Sequence, residues 1–204
     1  MKMTKKKVFV VALAVCLIAI LSMGTLAWFT ATGTVDNKFH VTTEQGEQYA
    51  DFKLEIFETD AELGTGEVDE NEYFHIAPGD ELSKDPTVRN AGQYDMWVRI
   101  SIELDEYAAW EAALGADYDL SAILLNVNTA EWTLDTTTVG TNKLVFYKNT
   151  VLAPTEESTL FEGVKIPEGF EVDNMPTDFN LKVVGEAIQA ANTGTTAQEA
   201  FEKF

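Results

Sequence analysis

Residues Tyr94–Leu104 alternate so regularly that one local structure fits them best. Met96, Val98, Ile100, Ile102 and Leu104 fall on one side, and Trp97, Arg99, Ser101 and Glu103 on the other. A period of two is the mark of a β-strand with one buried face. Removing five aliphatic side chains from water gains about 25 cal/mol per Å² of apolar surface.

Other segments follow the same pattern more briefly. Val35–Val41 is expected to be a first strand, with Val35, Phe39 and Val41 on one face and Lys38 and His40 on the other. Ala50–Glu58 sets Phe52, Leu54 and Ile56 against Lys53 and Glu55. Leu63–Glu72 holds two glycines and four acids and reads as a loop. Pro78-Gly79-Asp80 is a turn, because proline fixes φ and glycine tolerates positive φ. Pro86–Asn90, Asn128–Leu134, Lys143–Leu152, Ser158–Ile166 and Phe179–Ala190 read as further strands, the last with a bulge or a close approach at Gly185. Asp105–Leu114 reads as one helix inserted between strands, capped by Asp105 and closed by Gly115. Thr196–Phe204 reads as a short terminal helix, capped by Thr196, with Ala197, Ala200, Phe201 and Phe204 on one face. Short strands separated by turn signals predict an all-β fold, an antiparallel two-sheet sandwich of the jelly-roll kind.

The head of the chain has a different composition. Lys5-Lys6-Lys7 precede an apolar run from Val8 to Met23 that only Ser22 interrupts, and Gly24-Thr25-Leu26-Ala27 follows. A basic region, an apolar run and small residues before a cut form a secretory signal peptide, here residues 1–27, cleaved between Ala27 and Trp28. The run is short for a membrane span of about 20 residues. Cys16 follows the branched Val15 and makes a poor lipidation site; cleavage after Ala27 discards this single cysteine. The remainder, 28–204, is expected to be a single domain held by its core, outside the cell, without disulfides.

Charge narrows the partners. The whole chain carries 14 bases and 34 acids, a net −20, and residues 1–27 take four of the lysines and none of the acids. The remainder therefore stands at −24. Such a surface repels nucleic acid, so no nucleic-acid partner is expected.

Little in the sequence carries chemistry. His40 and His75 are the only histidines and neither has a partner at helical spacing, so no H-E-x-x-H site exists. There is no G-x-S-x-G elbow and no glycine-rich phosphate loop. Glu67, Asp69, Glu70 and Glu72 are oxygen donors of the type calcium prefers, but the D-x-[DN]-x-[DN]-G loop is missing and a solvated acidic loop is the plainer reading. Trp97, Trp110 and Trp132 could stack on sugars, although core and inter-strand packing is their commoner fate. No catalytic residue, metal or cofactor is expected, and the chain does not read as an enzyme.

Three segments together carry a resemblance. Gly24-Thr25-Leu26-Ala27-Trp28-Phe29-Thr30 resembles the G-T-x-A-[aromatic]-F-[ST] ending of exported proteins matured by the SipW signal peptidase. Pro78-Gly79-Asp80-Glu81-Leu82-Ser83-Lys84-Asp85, followed by Val88-Arg89-Asn90-Ala91-Gly92, resembles a P-G-D-x-[LV]-x-K, strand, N-x-G block. Leu181–Ala190 is similar to a closing strand of the same family, the TasA/camelysin biofilm matrix proteins of Gram-positive bacteria.

The resemblance implies a secreted jelly-roll subunit that polymerises head to tail into an extracellular matrix fibre. It also implies a SipW-type signal peptidase during export and an anchor or minor matrix protein as a further partner. In the family the freed N-terminal segment leaves its own domain and adds as a strand to the next subunit; here the matching residues are 28–41, with Trp28, Phe29, Val35, Phe39 and Val41 as the donor side chains. Pro78, Gly79, Asp80, Lys84, Asn90 and Gly92 carry the turn motif. The chain has no metal-protease motif, so no protease activity is expected. The alternative is a monomeric secreted or surface module that recognises a glycan or a host protein.

Overall fold

The computed structural model describes residues 30–35, 52–58, 67–69, 72–171, 174–176 and 178–203. Ala31–Phe204 forms one compact unit, and Met1–Thr30 lies outside the described residues except for Thr30. The expected cleavage site, Ala27 and Trp28, therefore also lies outside them.

The strands run β1 (Thr30–Val35), β2 (Leu54–Phe57), β3 (Glu67–Asp69), β4 (Glu72–Phe74), β5 (Glu81–Ser83), β6 (Thr87–Asn90), β7 (Met96–Leu104), β8 (Leu124–Leu125), β9 (Trp132–Leu134), β10 (Lys143–Lys148), β11 (Glu157–Thr159), β12 (Gly163–Lys165) and β13 (Leu181–Gln189). A helix, Tyr107–Leu114, follows β7, and another, Ala197–Phe201, follows β13. The largest sheet has the order β1-β13-β7-β10-β9; two three-stranded sheets have the orders β11-β6-β2 and β5-β12-β8. The fold is all-β, with most strands in antiparallel sheets and few helices.

β7 is the centre of this arrangement. Met96, Val98, Ile100, Ile102 and Leu104 are all fully buried. They share one core with Leu54 and Val88 from one small sheet and Leu82, Leu124 and Val164 from the other. The second face of β7 is not simply polar. Trp97 is buried with Ile188 beneath Ala197, Ala200 and Phe201 of the C-terminal helix. Arg99 pairs with Glu186 at 2.6 Å and lies over the Phe201 ring. The C-terminal helix starts where Thr196 Oγ1 accepts from the Glu199 N–H, so the cap forms as the sequence predicts.

Gly185 marks a close approach, without a bulge. The β13–β7 register runs unbroken from Leu181↔Leu104 to Gln189↔Met96. A Cβ at Gly185 would meet Leu54, Ile56 and Val88 side chains at 3.3, 3.4 and 3.5 Å. Glycine lets the two layers come together there.

Several sequence-based boundaries are corrected. The first described strand is Thr30–Val35, and the expected strand Val35–Val41 lies outside the described residues except for Val35. The expected loop Leu63–Glu72 contains β3, which pairs with β4 through Val68↔Tyr73. Backbone pairing needs no apolar face, so an acidic stretch can form it. Asn128–Leu134 is a strand only from Trp132, because the N–H groups of Glu131 and Trp132 both turn back onto the Asn128 carbonyl. Lys143–Leu152 ends as a strand at Lys148, with a lone bridge from Leu152 to Met96. Ser158–Ile166 splits into β11 and β12 in different sheets; Leu160 and Phe161 are adjacent yet both buried, which breaks the alternation at the corner. Asp105 does not cap its helix: Glu106 occupies that position without a side-chain bond, and burial of Tyr107 and Trp110 holds the helix instead.

Candidate assembly edge and the turn motif

A sheet can recruit another chain only through an edge, so the two edges of the five-stranded sheet are the first places to look. One edge is β1 on β13, and the other is β9 on β10.

Hydrogen-bond parity shows which groups β13 turns outward. The Ala190 N–H donates to Asp95 and the Asp105 N–H to Asn180, which makes the even-numbered residues of β13 the ones bonded to β7. Leu181, Val183, Gly185, Ala187 and Gln189 therefore direct their backbone groups away from β7, toward β1. β13 has nine residues, and β1 has six among the described residues.

The β9 edge is closed differently. Asn149 donates to Glu131 and Asp135 to Val145, so Glu131, Thr133 and Asp135 face β10 and only Trp132 and Leu134 face outward. The Trp132 N–H is already bonded to Asn128 at 3.0 Å. Behind this edge lies a polar network anchored on the buried Lys148 and Ser158. Lys148, on the inner face of β10, has a side chain 1% exposed and reaches Glu131 at 3.1 Å and Glu156 at 3.8 Å. Ser158 donates to Glu131 at 2.5 Å and receives the Trp132 indole N–H at 3.0 Å. The Ser158 hydroxyl, helped by Lys148, holds the Glu131 carboxyl below its ordinary range against the opposing effect of burial. Sequence reasoning missed this network, although Leu144, Phe146 and Lys148 at alternate positions put the lysine on the buried face.

The six turn-motif residues form two structural fasteners. Asp80 N–H donates to the Ala77 carbonyl at 3.1 Å, with Pro78 and Gly79 between them and Gly79 at φ 91°. The proline-glycine order and the positive φ suit a type II turn. Gly79 N–H then donates to Ile166, and Ile166 N–H to Asp80, tying the turn to the end of β12. Lys84 pairs with Glu58, and both side chains are nearly buried. Beside them Tyr73 donates to the Ser83 carbonyl, and burial, reinforced by Glu58 and Asp85, pushes its hydroxyl up to about 12.

Asn90 is the second fastener. It is fully buried and its amide nitrogen donates to the carbonyls of Tyr94 and Leu152, both at 2.8 Å. Its amide oxygen accepts from the Gly92 N–H at 2.9 Å. These bonds hold the β6–β7 connection to the chain near Leu152. The motif therefore fixes the fold, and its polar groups are consumed internally.

Of the expected donor side chains, Trp28, Phe29, Phe39 and Val41 lie outside the described residues, and Val35 is the last residue of β1. Trp97, Trp110 and Trp132 are all buried and offer no stacking platform. His75 is described, at φ 59°, and His40 is not. Among the described residues no group of three or more His, Cys, Asp or Glu side chains could hold a metal ion. An open cleft of about 400 Å³ lies between Leu114, Tyr118, Ile123 and the Lys165–Glu168 segment. The Tyr118 hydroxyl is buried without a hydrogen-bond partner, and burial raises its pKa. Among the described residues no helix is long and apolar enough to cross a membrane.

No family model matches the chain, and no curated protein or solved structure is detectably similar to it.

Proposed function

We propose that the chain is a secreted structural subunit of an extracellular fibre, assembled after removal of residues 1–27 by exchange of its N-terminal strand. The observation that carries this reading is the seat of β1: it occupies an edge of the largest sheet, beside a strand half as long again. The same edge groups of β13 would accept residues 28–41 of the next subunit in place of the chain's own β1. Backbone hydrogen bonds lost within one chain are then regained between two. Heterologous donation of this kind does not close on itself and gives open filaments.

In this reading the three sheets form a two-layer jelly-roll sandwich, with the five-stranded sheet as one layer and the two small sheets as the other. The shared core supports that arrangement. The protein would be exported by a Gram-positive bacterium, cleaved by a SipW-type peptidase between Ala27 and Trp28, and joined to a minor or anchoring matrix component.

The test is electron microscopy of the chain from Trp28 at acidic pH, beside one lacking residues 28–43. Filaments from the first alone are expected. Monodisperse particles from both would reject strand exchange, and the cleft beside the unpartnered Tyr118 hydroxyl would then favour the binding-module alternative.

A further inference from the structure

A lysine on the core side of a strand must have its charge neutralised where it stands. Lys148 of β10 is such a residue, with a side chain 1% exposed. Taking an ammonium out of water is costly unless opposite charge and hydrogen-bond acceptors surround it. Two carboxylates supply these. Glu131, just before β9, lies at 3.1 Å, and Glu156, just before β11, at 3.8 Å. Glu131 also accepts from the Ser158 hydroxyl at 2.5 Å and faces the Asn128 side chain. Glu156 accepts from the Ala153 N–H at 2.9 Å. Glu157, the next residue, turns the other way, to Arg89.

This cluster is lopsided. Its cation is sealed, whereas the Glu131 and Glu156 side chains are 45% and 41% exposed. Protons reach the carboxylates from solvent, and water does not reach the ammonium. Once neutralised, the carboxyl groups still accept hydrogen bonds, but the Coulomb attraction that offsets burial is gone. The ammonium is then drawn toward the half-exposed side, where Glu131 leads into β9. That strand has three residues and few bonds to hold it. The Asp135 N–H donates to Val145 and the Asn149 N–H to Glu131, both at 2.8 Å. The Thr133 hydroxyl and the Asn149 amide add one bond each.

We propose that Lys148, Glu131, Glu156 and Ser158 form an acid-released latch, which holds the β9 edge closed at neutral pH and lets it open locally in acid, before the rest of the fold. Glu131 sets the direction. The Ser158 hydroxyl, and after it Lys148, hold its carboxyl below the ordinary value against burial. A depressed folded pKa means that the latch is complete above about pH 4.5 and is lost as pH falls through the folded value. Opening bares the backbone groups of Val145, Tyr147 and Asn149 on β10. An edge that is closed to other chains at neutral pH is then unpaired. The inference does not depend on strand exchange at β13.

The test is amide hydrogen exchange, read as protection factors, on the chain from Trp28, which keeps Ala31–Phe204 entire. As pH falls from 7 to 3, Asp135 and Asn149 should lose protection about tenfold. Arg99 and Ser101, opposite Glu186 and Val184 of β13, should keep theirs. Lys148→Met fills the site without a charge and should keep Asp135 and Asn149 protected throughout. Glu131→Gln with Glu156→Gln should reproduce the acid state at pH 7, again with about tenfold less protection at the same two amides.

Loss of protection at β9 and β7 together would overturn the latch, as would β9 protection that survives to pH 3. An acid loss as steep in Lys148→Met as in the unaltered chain would overturn it too, because no buried charge would then be involved. If Lys148→Met does not fold, the paired glutamine variant decides: unchanged protection at pH 7 rejects the proposal.

Discussion

The two edges of the five-stranded sheet are finished by different physics. At the β9 edge, a three-residue strand is backed by Lys148, Glu131, Ser158 and Trp132 in one hydrogen-bonded network, and its outward groups are few. At the β1 edge, a nine-residue strand is covered by a six-residue segment that the chain supplies from its own N-terminal end. Short, locally satisfied edges resist pairing with other chains, and long ones invite it. The contrast teaches where an addition could occur: β13 has the length to take a strand, and β9 does not.

That contrast can be broken in several ways. The largest effect is expected from removing residues 28–43, which should abolish filaments outright in sedimentation and imaging. Lys148→Ala should come next. It empties a buried site and strands the bonds of Glu131, so a loss of about 2–4 kcal/mol is expected in urea unfolding. Because it loosens the β9 side, it should leave strand exchange at β13 in place wherever the protein remains folded.

Gly185→Val sharpens the comparison from inside β13. The new side chain would press on Leu54, Ile56 and Val88, costing about 1–3 kcal/mol in unfolding experiments. It should also slow assembly, since it shifts the strand that accepts the donor.

The smallest stability effect concerns Glu131. Its folded pKa lies below the unfolded value, so its contribution is present above about pH 4.5 and is lost as pH falls through the folded value. The side chain is 45% exposed. After discounting for solvent, Glu131→Gln should lower stability at pH 7 by no more than about 1 kcal/mol, with the gap to the unaltered chain narrowing below pH 4.5. Assembly should respond in the opposite sense. Protonating carboxylates relieves self-repulsion of a −24 body, so acid should speed filament growth while it weakens this ion pair. A growth rate unchanged between pH 7 and pH 4 would contradict the charge argument.

What was legible in the sequence follows from pattern length. β7 spans nine residues of strict alternation, enough to define its faces, and Gly185 stood out inside a second long pattern. The cap at Thr196 and the terminal helix were also readable, because a capping side chain acts within a single turn. The split of Ser158–Ile166 into β11 and β12 was not. Leu160 and Phe161 enter the core in succession at the corner between them, and alternation carries no information there. The Lys148 network escaped because a lysine reads as solvent-facing until its strand neighbours fix its side of the sheet. Asn90 was legible as a motif position, but one of its three bonds reaches the Leu152 carbonyl, far away in sequence, which no local pattern reveals.

Strand exchange at β13 is tested most directly by amide hydrogen exchange at Val183, Gly185 and Ala187, whose N–H groups face away from β7. They should be protected in the chain from Trp28, exchange rapidly in the chain lacking residues 28–43, and regain protection when a peptide of residues 28–43 is added. Equal protection in all three samples would contradict the account.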